Sequence, residues 1–98
     1  MDPILQTMAQ LIGPVGFRLM GARELTYANE TLCLSWRMGD GSRQDQVAWL
    51  YDIGTDTYTL AFTPLVGEPL TLRLVYVDDV LDPIEEKTGF YPTFRPRR

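Results

Sequence analysis

Three stretches of this chain alternate apolar and polar residues with a period of two, a fourth is apolar on both sides, and others repeat apolar residues with the period of a helix. The spacing predicts a first helix from Asp2-Pro3 onward. Asp can accept a hydrogen bond from a free N–H of the first turn, and Pro fits the first helical position. Ile4, Leu5, Met8, Leu11 and Ile12 then fall on one face. Gly13-Pro14 predicts the end of that helix, and the apolar run Phe17–Met20 reads as extended. Leu25-Thr26-Tyr27 reads as a brief strand before a turn at Asn29-Glu30.

The clearer strands follow. Over Thr31–Arg37, Leu32, Leu34 and Trp36 are predicted to face one way, with Cys33, Ser35 and Arg37 facing the other. Val47–Ile53 is apolar on both sides, which predicts a central place in a sheet. Thr57–Pro64 sets Tyr58, Leu60 and Phe62 against threonines and Ala61. Leu70–Val77 sets Leu70, Leu72, Leu74 and Tyr76 against Thr71, Arg73 and Val75. The links between these strands are Gly39-Asp40-Gly41-Ser42, Gly54-Thr55-Asp56 and Gly67-Glu68-Pro69. They are too short for parallel crossovers, so neighbours run antiparallel. Asp78 predicts the cap of a second helix reaching Thr88, with Val80, Leu81, Ile84 and Thr88 inside and Gly89 as its stop. Pro83 falls early enough to be tolerated, and the helix can equally begin at Asp82-Pro83. The expected fold is α+β in the order α-β-β-β-β-α. An antiparallel sheet of about four strands carries an N-terminal and a C-terminal helix on one face. Residues 1–89 are expected to form this one domain, and residues 90–98 a basic, aromatic and proline-containing tail.

Composition narrows the chemistry. Ninety-eight residues with 45% hydrophobic and 22% charged side chains suffice for one core. The absence of histidine removes the commonest general base and the usual zinc ligand. A lone cysteine, Cys33, cannot form an internal disulfide, which fits a reducing compartment. No basic leader or long apolar run opens the chain, so a cytoplasmic location without membrane attachment is expected. Neither a metal nor a cofactor is expected, because no ligand pattern stands out. Asp52-Ile53-Gly54-Thr55-Asp56 lacks the alternating oxygen ligands and closing Glu of a calcium loop and reads as a hairpin turn.

Charge is what changes the functional picture. The net charge is −4, but residues 40–86 carry −8 and residues 87–98 carry +4. Asp78, Asp79, Asp82, Glu85 and Glu86 gather on the second helix, with Lys87 the only lysine of the chain. Like charges at this spacing repel. A row that persists despite that cost is a candidate docking ridge for a basic protein surface, imitating a row of phosphates. The competing explanation is a solvated face whose first acids favour the helix dipole. Arg95, Arg97 and Arg98 form a possible anion-binding tail, which can contact nucleic acid weakly or fold back on the acidic helix. The acidic body itself repels nucleic acid.

Three short motifs add a resemblance. They are Met20-Gly21-Ala22-Arg23, then Tyr58-Thr59-Leu60-Ala61-Phe62 after Asp56-Thr57, and Val75-Tyr76-Val77-Asp78-Asp79 leading to Glu85-Glu86-Lys87-Thr88-Gly89. Together they resemble a family of small uncharacterised proteins carried by phages, plasmids and other mobile elements. Arg23 stands where the family has lysine, and Pro83 interrupts the helix. The resemblance implies a mobile-element origin, and by analogy the binding of host machinery such as defence nucleases. The leading expectation is a non-enzymatic protein-binding domain acting through the acidic helix. One alternative is a self-associating module that forms a homodimer through an exposed sheet face. Another is a small enzyme using paired carboxylates.

Overall fold

A computed structural model describes residues 2–39 and 41–89. Helix α1 (Pro3–Met20) opens as expected, with the Asp2 carboxylate accepting from the Ile4 N–H at 2.8 Å. Gly13 does not end it. At φ 79° and ψ 161° Gly13 breaks the helical path, and the helix resumes at Pro14. Proline has no N–H to lose at a first helical position, so the same residue that stops one segment starts the next. The run Phe17–Met20 is therefore helical, not extended. Met20 is fully buried, and Phe17 meets Trp36 edge-on at 5.3 Å. The helix ends at Gly21, whose left-handed backbone (φ 67°) lets its N–H return to the preceding turn.

Five strands follow, β1 (Arg23–Ala28), β2 (Cys33–Arg37), β3 (Gln44–Asp52), β4 (Thr57–Pro64) and β5 (Leu70–Val75). They form one antiparallel sheet in chain order, so β3 is central, as its two-sided apolar pattern predicts. The Leu25-Thr26-Tyr27 segment belongs to β1, which supplies one strand beyond the four clear ones. A 3-10 turn (Val77–Asp79) leads to helix α2 (Leu81–Thr88).

Register explains the core. Leu34 pairs with Trp49 and Trp36 with Val47, while Val47 and Trp49 pair onward with Phe62 and Leu60. All six are buried on one face. Leu5, Met8 and Ile12 of α1 and Ile84 of α2, with Val80 just before it, close the same core, so both helices cover that face. The other face carries no helix. Across it runs a row of small side chains, Ser35, Ala48, Ala61 and Thr71.

The sheet edges are interrupted. Register shifts occur within β1 between Arg23 and Thr26, and within the β4–β5 pair between Tyr58 and Leu60. Glu24 on one edge and Leu74 on the other have left-handed φ values of 53° and 56°. Such kinks hinder the addition of a further strand.

Candidate functional site

The acidic helix is shorter than its pattern predicted. Asp78 does not cap it. Asp78 and Asp79 lie in the 3-10 turn, and Val80, without a side-chain cap, precedes Leu81. Pro83 explains this: in a helix capped at Asp78 it would fall past the first turn, where its missing N–H is needed, whereas a start at Leu81 keeps it among the first residues, whose N–H groups have no intrahelical partner. The inner stripe is as expected, with Val80, Ile84 and Thr88 buried and Leu81 packed against the core. Asp78, Asp79, Asp82 and Glu86 are exposed. Glu85 departs from the expected ridge, because it is only 6% exposed. At about 100° per residue, Asp82 and Glu86 lie nearly opposite Ile84, whereas Glu85 is a single step to its flank. The outward row thus has four members. Arg95, Arg97 and Arg98 lie outside the described residues.

A turn from the sheet holds this helix at its far end. The last carbonyls of an α-helix have no intrahelical partner. Here Ser42 Oγ donates to the Thr88 carbonyl at 3.0 Å, Arg43 Nη2 to Glu86 at 2.8 Å and Gln44 Nε2 to Lys87 at 3.2 Å. The Gly89 N–H, on a left-handed glycine, returns to the Glu85 carbonyl at 3.0 Å. Ser42 is buried, and its Oγ also accepts from the Gln44 N–H. Three consecutive residues therefore serve three consecutive helix carbonyls, and the Arg43 cation sits at the negative end of the helix. The sequence pattern marks Ser42 only as the end of a link between strands. Its helix partner lies 46 residues away, and no local pattern announces it.

The remaining polar clusters are internally engaged. Arg37 pairs with Glu24 at 2.9 Å and Asp45 at 3.1 Å, and Arg23 reaches the Met38 carbonyl at 3.2 Å. In the β3–β4 turn, Asp52 accepts from the Gly54 N–H at 2.9 Å and Asp56 from the Tyr51 hydroxyl at 2.6 Å. This is the turn chemistry the sequence predicted. The hydrogen bond to Asp56 holds the Tyr51 phenol above its ordinary pKa, and burial does the same for Tyr58. Cys33 lies on the open face, and burial pushes its thiol up, partly offset by a backbone hydrogen bond from Trp49. Such a thiol is a poor nucleophile at neutral pH. Among the described residues, no group of three His, Cys, Asp or Glu side chains could hold a metal ion, and no helix is long and apolar enough to cross a membrane.

The open face bears two shallow depressions of about 520 and 390 Å³ that share Leu50, Asp52 and Thr59. One extends to Glu30 and Leu32, the other to Arg73 and Leu74. The sequence placed Leu32 with Leu34 and Trp36 on the inner face. Its left-handed φ of 51° breaks the alternation and brings it to this trough. The chain matches no family model, no curated protein and no solved structure.

Proposed function

We propose that this protein is a non-enzymatic binding domain whose acidic row, Asp78, Asp79, Asp82 and Glu86, docks on a basic surface of a protein partner. The observation that carries the reading is the row's support: exposed carboxylates on a 3-10 turn and on the helix it leads into, whose inner stripe is buried and whose far end is hydrogen-bonded to the sheet. Charges on a rigid support lose little freedom on binding, so their attraction is less offset by ordering. The resemblance to mobile-element proteins makes the partner a host protein that handles nucleic acid, met in the cytoplasm, with the carboxylates standing in for phosphates. This calls for no metal or cofactor.

The test is capture from host lysate with the intact protein and with D82K/E86K, with bound proteins identified and circular dichroism confirming the fold. A basic protein retained by the first and lost by the second supports the reading. An identical set of captured proteins contradicts it.

A further inference from the structure

We propose that the open face of the sheet is the interface of a symmetric dimer, its occupant a second copy of this chain. The trough running across that face has matching halves. At one end Leu32 lies with Glu30, and at the other Leu74 lies with Arg73, on either side of a shared stretch containing Leu50 and Thr59. A symmetric interface must be complementary to itself. A two-fold axis parallel to the strands, between β3 and β4, exchanges the two halves. It sets Leu32 and Glu30 of one protomer against Leu74 and Arg73 of its partner. Leucine then meets leucine, and each carboxylate meets a guanidinium. Leu50 pairs with Thr59 and Asp52 with Thr57 within the sheet. The same axis therefore sets Leu50 against the partner's Thr59 and Asp52 against the partner's Thr57.

The backbone points the same way. Leu32 and Leu74 both hold left-handed φ values, 51° and 56°, which branched side chains rarely adopt. Leu74 remains 62% exposed and Leu32 is only half-buried, so burial within one chain does not compensate this strain. Contact with a second copy does. The small row Ser35, Ala48, Ala61 and Thr71 leaves no bulky obstacle to stacking two sheets about 10 Å apart. Pairing through an edge strand is disfavoured by the kinks at Glu24 and Leu74. The helices cover the opposite face, so this interface is independent of the acidic row.

Sedimentation equilibrium on the full chain, up to about 1 mM, tests the dimer. The average mass is expected to rise with concentration from 11.2 kDa toward twice that value. R73E or E30R alone raises the dissociation constant about tenfold or more, and the double swap E30R/R73E restores association. L74N tolerates the left-handed backbone and removes the apolar contact, so it dissociates the dimer while the circular dichroism stays unchanged. A mass fixed at the monomer value across the whole range overturns the proposal. So does a dimer indifferent to all four variants, which would place its interface elsewhere. R73E is expected to leave lysate capture by the acidic row unchanged, so the two readings can fail separately.

Discussion

Gly39 packs so closely against the backbone of Gly21 that a Cβ on Gly39 would stand 2.8 Å from the Gly21 carbonyl oxygen. Both residues matter for what they lack. Gly21 also needs its left-handed φ to cap α1. Gly39→Ala is expected to destabilise the fold by about 1–3 kcal/mol through overpacking. Gly21→Ala is expected to cost about 1–2 kcal/mol through its backbone conformation. Urea unfolding midpoints measure both, and parent-like midpoints would contradict the close approach. Cys33 offers a second check at this scale. Its thiol pKa is raised by burial in the folded state, so the folded chain favours the neutral form. The associated stability is present below the unfolded-state pKa and declines as pH rises toward the folded one. Alkylation of native Cys33 should therefore be slower than in the urea-unfolded chain at the same mildly alkaline pH, and an equal or faster native rate would refute the shift. Single residues were the hardest part to read in advance. Strict alternation placed Leu32 inside, and only a backbone angle that alternation does not encode moves it to the open face.

At the scale of elements, β2, β3 and β4 were legible because each buries one face, whereas on β5 a register shift ends the expected alternation after Leu72, leaving Leu74 and Tyr76 exposed and turning Val75 to the core. Leu34 and Trp36, Val47 and Trp49, and Leu60 and Phe62 occupy the sides that alternation assigns them. The errors cluster at proline. Pro14 restarts α1 where a stop was expected, and Pro83 shortens α2 at its start. The clamp on α2 was illegible, because Ser42, Arg43 and Gln44 act across the fold on carbonyls distant in sequence. Ser42→Ala removes two hydrogen bonds at a buried site, the one donated to the Thr88 carbonyl and the one accepted from the Gln44 N–H. A loss of about 1–3 kcal/mol is expected. Hydrogen exchange should rise first in the last turn of α2, before the central strands β2–β4 respond. A uniform rise across the sheet, or none, would mean that the turn does not hold the helix.

The whole molecule divides its two surfaces by chemistry. One face of the sheet is sealed by both helices, and α2 carries Asp82 and Glu86 on its outward side. The opposite face is bare, with small residues across its middle and leucines at either end of its trough. The sequence already contains the first surface as a charge imbalance, although packing buries Glu85 and takes it out of the outward row. It contained the second only as an apolar excess on β3. The trough depends on the left-handed backbone at Leu32 and Leu74, which brings the β1–β2 turn and β5 to its two ends. The acidic row remains the central claim, and its most direct test is calorimetric titration of a captured partner with the intact protein and with D82K/E86K at low and moderate salt. The account predicts that the intact protein binds more weakly as salt rises, and that the variant loses about tenfold or more in affinity together with most of that salt dependence. Equal affinity and equal salt dependence for the two proteins would contradict it.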